Sequence, residues 1–446
     1  MRRKIRALAA ALLLSVTLSG CGGFHIVFNP EELYALPELP AKYTELNAQL
    51  NAILEDGAEY AAPASGTNIQ PVQLMDLNGD GQQEALAFFR KTEDEKPLKI
   101  YIFSARGDSY EQSAVIEGSG ASVYSVVYSD LDGDGRTELI VGWRVNAELQ
   151  ALSVYALSHG GTRELLRSVS YVRYANADLD GDGLQELVVL RSDEEGEGVA
   201  DYYDWQGYSL APQSPARISI TMAELNQQGR LSTGTLRDGE PALFVTGVTE
   251  ESGAVTDILA VRNGELTNIV LSEATGVSGE IAPFTGLYPA DINGDGWTEV
   301  PSPVSHDGMS PFQRVDWRSF SLDGTGERGI STYHCMEDGW YLTLPESWVG
   351  RVQGERSVSS GESSVTFYIL KEDGTQGGAI LRISALTGSG REMRATRGSR
   401  FSLSRQSTTI YTAELPEVPP WEHSMTAEEV RGAFSLIARE WIPGDN

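Results

Sequence analysis

The chain has 446 residues, 41% hydrophobic and 22% charged, with 47 Gly, 19 Pro and 2 Cys. At roughly 100–200 residues per domain this is a globular body of two to four domains, neither a disordered tail nor a disulfide-stapled mini-fold. Lys and Arg number 34 against 63 Asp and Glu, a net charge of −29, which excludes the cationic surface that nucleic-acid binding needs. Anionic membranes and wall polymers are repelled unless a divalent cation bridges them.

Residues 1–20 read as a targeting segment: Arg2, Arg3, Lys4 and Arg6, then an apolar run over 7–18. That run is shorter than the ~20 residues a spanning helix requires. It ends in Leu18-Ser19-Gly20-Cys21, which resembles a bacterial lipobox. The resemblance implies that Cys21 is lipidated and becomes the mature N-terminus. Its acyl chains would then hold the body on the extracytoplasmic face of the cell membrane. Cys335 is left without a partner and reads as a small packing residue. His334 beside it would point to the opposite face of a strand. Residues 21–64 read as a tether with Pro30 and Pro37, then a helix over 40–57. Tyr43, Leu46, Leu50, Ile53 and Leu54 share one face of that helix and pack it against the repeat region.

Four nine-residue segments then repeat one another. They hold, at positions 1, 3, 5, 7 and 9, Asp76, Asn78, Asp80, Gln82 and Glu84; Asp130, Asp132, Asp134, Arg136 and Glu138; Asp178, Asp180, Asp182, Leu184 and Glu186; and Asp291, Asn293, Asp295, Trp297 and Glu299. Their starts are 54, 48 and 113 residues apart, and the last gap spans two periods. A degenerate copy therefore falls near Thr235, where the Asp triad is missing. Oxygen ligands at positions 1, 3 and 5, with a backbone carbonyl at position 7, suit a hard cation. Gly at position 6 permits the left-handed backbone that folds the chain around it. The closing acid stands at position 9, whereas an EF-hand places it at 12, where Ala87, Val141, Val189 and Ser302 stand. After the loops come β-prone runs such as Ala85-Leu-Ala-Phe-Phe89 and Leu187-Val-Val-Leu190, so each unit reads as about four strands, the size of a propeller blade.

The loops resemble those of FG-GAP/VCBS repeats, the family that includes the calcium-binding blades of integrin α-subunits. The resemblance covers residues 65–335 and implies a mainly β fold, a β-propeller of five blades. It also implies about four structural Ca²⁺ ions, held through positions 1, 3, 5, 7 and 9 of the four loops. Position 9 is Glu where integrin-type loops usually carry Asp. The whole chain is similar to Gram-positive lipoproteins that carry such repeats behind a lipobox.

Residues 336–446 read as a separate small α+β domain. Strand-like runs over 340–348, 365–370 and 379–383 precede a closing helix. Thr426 and Glu429 would form its capping box, Met425 and Val430 a hydrophobic staple, and Val430, Ala433, Phe434, Ile437 and Trp441 its apolar face. His25, His159, His306, His334 and His423 are scattered, with no His-Glu-x-x-His spacing, and there is no Gly-x-Ser-x-Gly elbow. Trp143, Trp205, Trp317, Trp340, Trp348 and Trp421 read as packing residues. The expected function is that of a lipid-anchored binding or scaffolding module for a protein or glycan of the envelope, not an enzyme. The alternative is a carbohydrate-active enzyme, such as a polysaccharide lyase, on the same scaffold.

Overall fold

The computed structural model describes residues 41–437 apart from 108, 159–160, 214, 250–252, 305–313 and 418–420. The leader, Cys21 and the tether before the helix lie outside the described residues, as do His25, His159, His306 and Trp441. The protein is mainly β, built of several antiparallel sheets. Among the described residues no helix is long and apolar enough to cross a membrane.

Five successive sheets each run four strands in chain order, each paired antiparallel with the next. Sheet 1 runs Val72–Met75, Glu84–Arg90, Leu98–Arg106 and Ser109–Gly118. Sheet 2 runs Ser122–Ser129, Glu138–Arg144, Gln150–Ser158 and Gly161–Tyr171. Sheet 3 continues with Arg173–Ala177, Glu186–Ser192, Gly198–Trp205 and Leu210–Pro212. Sheet 4 comprises Arg230–Thr235, Pro241–Thr249, Gly253–Arg262 and Glu265–Asn268. Sheet 5 comprises Val300–Val304, Arg314–Phe320, Gly326–Cys335 and Trp340–Leu344. The second strand of each of the first four sheets is an almost unbroken apolar run, because both of its faces are covered by other elements.

The core is a series of clusters between neighbouring sheets. Leu86, Phe88 and Ile100 of sheet 1 meet Val126, Leu139 and Trp143 of sheet 2. Ile140 and Leu152 meet Leu187 and Tyr203 of sheet 3, and Val188 and Tyr202 meet Leu243 and Leu259 of sheet 4. Phe244 and Ile258 meet Val300 and Phe320 of sheet 5. A seven-residue helix, α2 (Met222–Gln228; α1 is the earlier Ala41–Glu55), inserts Met222 and Leu225 between sheets 3 and 4. Both ends of this row are covered. The outer face of sheet 1 (Ala85, Ala87, Phe89) carries Leu46 and Leu50 of α1. The outer face of sheet 5 (Tyr333, Trp340, Leu342) carries Val365, Phe367 and Ile383 of a sixth sheet. Among the described residues no core cluster joins sheet 1 to sheet 5.

Sheet 6 contains Val352–Ser359, Glu362–Leu370, Gln376–Thr387, Phe401–Arg405 and Thr409–Glu414. A short helix, α3 (Arg391–Ala395), sets Ala395 against Leu386 and Ile410 of this sheet. Trp348 is fully buried at the junction with sheet 5, and its indole N–H donates to the His423 carbonyl at 2.7 Å. Asp338 accepts from Arg356 at 3.1 and 3.2 Å, from Ser363 at 2.6 Å and from the Cys335 thiol at 3.3 Å. Burial and that carboxylate push the Cys335 thiol up to about 12, and its side chain packs in the cluster between sheets 5 and 6. Trp143, Trp317 and Trp340 are buried, while Trp205 and Trp421 are half-buried against Arg163 and Arg351.

Two features differ from the expectation for residues 336–446. Aligned on its acidic loop, the repeated plan ends with Gly326–Cys335, and Trp340–Leu344 is an added strand that extends sheet 5 past residue 336. The closing helix, α4 (Ala427–Ala433), keeps its Thr426–Glu429 capping box but stops at Ala433. Phe434–Leu436 turns into a strand that pairs with Trp340–Leu344, which ties the C-terminal segment back to sheet 5. Phe434 sits beside the rings of Trp340 and Tyr411 at 5.8 and 5.6 Å. Phe434 and Leu436 are partly buried against the core between sheets 5 and 6, which favours the strand over the helical period read through Ile437.

His334, on sheet 5, is 4% exposed, stacks on Tyr341 at 5.1 Å, and has no hydrogen-bond partner on either ring nitrogen among the described residues. Burial lowers it to about 4. Because the unfolded chain takes up this proton near pH 6.5, the stability it supports is intact above that pH and is lost as the pH falls toward 4. Urea unfolding of His334→Phe should therefore show a shallower acid dependence between pH 6.5 and 4. The gap closes by up to about 3 kcal/mol, at 1.36 kcal/mol per unit.

Candidate metal centres

In sheets 1, 2 and 3 the acidic loop joins the first strand to the second, loop 4 precedes Val300–Val304, the first strand of sheet 5, and each loop is closed by a facing pair. Met75 faces Glu84, Ser129 faces Glu138, Ala177 faces Glu186 and Ala290 faces Glu299. The Asp at position 1 organises the turn. One of its oxygens accepts from the N–H at position 4 at 2.7–2.8 Å, the other from the N–H at position 6 at 2.9–3.1 Å. Positions 3 and 5 each accept from the N–H two residues on. Two glycines per loop are needed, at position 4 as well as at 6. Gly79 and Gly81 have φ of +71° and +84°, and the other three loops match them.

Position 9 binds the loop to the core. Glu84, Glu138, Glu186 and Glu299 are 1–3% exposed. In each, one carboxylate oxygen accepts from the backbone N–H at position 2: Leu77 at 2.9 Å, Leu131 at 2.9 Å, Leu179 at 2.7 Å and Ile292 at 3.2 Å. The side chains of Leu77, Leu131 and Leu179 are buried in the clusters between successive sheets. Glu is long enough to reach back to that N–H while its second oxygen faces the Asp groups. Desolvation, with the neighbouring Asp charges adding to it, pushes Glu138, Glu186 and Glu299 up to about 7, and Glu84 also upward.

In loop 3, Asp178, Asp180, Asp182 and Glu186 each bring a carboxylate oxygen within 4.8 Å of the others, and in loop 2 Asp130, Asp132 and Glu138 do so. The Oε1 of Glu186 is buried without a hydrogen-bond partner among the described residues. Converging, deprotonatable oxygens with one left unsatisfied fit a hard divalent cation such as Ca²⁺, and the all-oxygen donor set does not suit zinc. The position 7 side chains share no chemistry. Gln82 is exposed, Arg136 lies 3.9 Å from Asp134, Leu184 covers Gly133 and Trp297 is exposed. Only the backbone carbonyl of these residues is a common donor.

The loops also touch one another. The N–H of Thr137 donates to the Leu77 carbonyl at 3.0 Å, and a Cβ on Gly79 would lie 2.5 Å from the Gly135 carbonyl oxygen. In sheet 4 the loop is shortened to a hairpin in which the Leu236 N–H donates to the Glu240 carbonyl at 2.8 Å. Leu236 stays fully buried between sheets 4 and 5, so the apolar plug survives where the acids are lost. The two features not read from the sequence, Gly at position 4 and Leu or Ile at position 2, recur in all four loops and were there to be found.

Residues 76–141 match the FG-GAP-like repeat family. A search of curated proteins gave no match. Among solved structures, the chain is similar to a candidate 6-phosphogluconolactonase from Bacteroides uniformis ATCC 8492, at 16% identity over 65% of this chain and 80% of that one, with a TM-score of 0.28. It is also similar to CoXyl43, a GH43 β-xylosidase/α-arabinofuranosidase from a compost microbial metagenome, in its calcium-free complex with xylotriose. There the identity is 10% over 61% of this chain and 98% of that one, with a TM-score of 0.25.

Gly79→Ala should lose about 2 kcal/mol or more in urea unfolding, since a left-handed L-residue costs about 1–2 kcal/mol and the methyl also meets Gly135. Gly81→Ala, with nothing within 4 Å, should lose only the backbone part; equal losses would refute the loop–loop contact. In metal-free buffer, wild type should lose stability relative to Glu186→Gln as the pH rises from about 4.5 to about 7, and the difference should be flat on either side. The sign comes from the raised carboxyl, whose stabilising proton is bound below its unfolded value and lost on passing about 7.

Proposed function

We propose that the chain is a calcium-stabilised, lipid-anchored protein on the extracytoplasmic face of the cell membrane. It offers its row of propeller-type sheets as a binding or scaffolding surface for a protein or glycan of the envelope. The observation that carries this reading is the recurrence of one acidic loop in four of five consecutive sheets, each with its closing Glu buried at the start of the strand that follows it. Extracellular modules with such ligand sets bind Ca²⁺ at roughly 10⁻⁴–10⁻³ M, which keeps them filled outside the cell. The ion would be structural. It neutralises carboxylates that otherwise repel one another and so holds the Glu–Leu grip that fixes each loop on the core. The lipobox ending at Cys21 supports the anchor, and the net charge of −29 argues against nucleic acid as a partner. Outside the loops, carboxylates such as Asp338 and Glu362 are held in ion pairs with Arg356 and Arg400, which favours a binding role over catalysis.

The test uses the tagged full chain in its native envelope, as wild type and as Cys21→Ala, in millimolar Ca²⁺ and in chelator. Wild type should fractionate with membranes and Cys21→Ala should be released. A partner should be retained in Ca²⁺ and lost in chelator, and chelation should lower the melting temperature by several degrees. An unchanged melt would sink the structural ion. Shortened polysaccharide with nothing retained would replace the binding module with a carbohydrate-active enzyme.

A further inference from the structure

The four loops are not equivalent, and position 3 divides them. In loops 1 and 4 it is Asn, in loops 2 and 3 Asp. The amide of Asn78 donates to Asp80 Oδ2 at 3.2 Å and to Glu84 Oε1 at 3.0 Å, and the amide of Asn293 donates to Asp295 Oδ2 at 2.8 Å and to Glu299 Oε1 at 3.3 Å. In these loops an N–H₂ group already satisfies the carboxylate oxygens that a cation would gather. The carbonyl end of the same side chain is engaged as well, accepting from Asp80 N–H or Asp295 N–H at 2.9 Å. To ligate a cation the amide must turn over and give up these bonds.

Loops 2 and 3 have no such donor. Asp132 and Asp180 spend one oxygen on the N–H of position 5 at 3.1 Å. Their carboxylates join those of Asp130 and Glu138, or of Asp178, Asp182 and Glu186, within 4.8 Å. Each of these loops carries four acids where loops 1 and 4 carry three. The buried Glu186 Oε1 makes no hydrogen bond of normal geometry, although the Tyr202 hydroxyl lies beside this carboxylate, and Glu186 clusters with three Asp carboxylates, which marks loop 3 as the one whose geometry most lacks a cation. Loop 2 comes second, with Arg136 at 3.9 Å from Asp134 offsetting part of its charge.

From this we infer that the chain has two classes of divalent-cation site: a tight pair in loops 2 and 3, and a weak pair in loops 1 and 4 in which Asn78 and Asn293 act as built-in amide substitutes for the ion. The inference rests on the proposed calcium role and refines it. Ca²⁺ affinity in oxygen-ligand loops rises with the number of charged ligands, and here the neutral residue also costs two hydrogen bonds on binding. On this division the first two ions serve sheets 2 and 3, in the middle of the row, while loops 1 and 4 keep their shape without metal.

Direct titration of the detergent-solubilised full chain with Ca²⁺, by calorimetry and by equilibrium dialysis, separates the outcomes. Two ions should bind in a first phase and two in a second at least about tenfold weaker. Asn78→Asp should raise the tight count from two to three. Asp180→Asn should lower it to one, and Asp132→Asn should do the same from the other loop, with melting curves in chelator confirming that each variant folds. Four equal sites, or a tight count unmoved by Asn78→Asp in a folded protein, would overturn the two classes and leave the calcium role standing. No binding in the millimolar range would overturn both.

Discussion

The grip of a buried glutamate on the backbone N–H of a buried leucine joins the chemistry of this protein to its packing. At Glu84–Leu77, Glu138–Leu131 and Glu186–Leu179 one carboxylate oxygen accepts from the leucine amide, while the carboxylate also meets the Asn78 amide in loop 1 and a nest of Asp side chains in loops 2 and 3. The leucine fills the space between its own sheet and the next. Anything that changes the charge on the nest therefore acts on the joint between two sheets. The hairpin at Leu236 shows the converse. Where the acids are gone, the apolar plug remains and the joint is made by packing alone.

The joints are strung in series. Each cluster involves a sheet and its immediate neighbour, as in repeat arrays whose stability is a sum of units and interfaces. Such an array exposes two apolar end faces, and both are covered here. The helix α1 places Leu46 and Leu50 on sheet 1, and sheet 6 places Phe367 and Ile383 on sheet 5. The strand Phe434–Leu436 then returns to pair with Trp340–Leu344, so the C-terminal unit is held to the row by backbone hydrogen bonds as well as by aromatic packing. Loss of either cover would expose an apolar sheet face of the kind that drives association.

Charge and burial are balanced differently at the loops and at the junction with sheet 6. Asp338 is ringed by Arg356, Ser363 and Cys335, and these donors together hold its carboxyl below the usual range despite burial. Glu362 is likewise held low by Arg400. The loop glutamates are pushed the other way, by desolvation first and then by their acid neighbours. An acid network with internal cations is complete in itself. One without them calls for a cation from solution or for an amide such as Asn78.

Features set by local spacing were legible in the residues. The Asp-x-Asx-Gly-Asp-Gly-x-x-Glu pattern, the β-prone run after it, the apolar face of α1 and the Thr426–Glu429 capping box each depend on residues within a few positions of one another. The short α2 announces itself in the same way, through the Thr221–Glu224 capping box that went unread. Other features depended on partners far along the chain. Nothing local says that Asn78 will donate to Glu84 while Glu186 is left with a bare oxygen, that Gly79 must stay small because Gly135 lies over it, or that Phe434 will leave a helical register to join the distant strand Trp340–Leu344. Spacing along the chain determined where a cation-binding loop forms. Which loops most need the cation was decided by burial and by the hydrogen bonds that tertiary packing supplies or withholds.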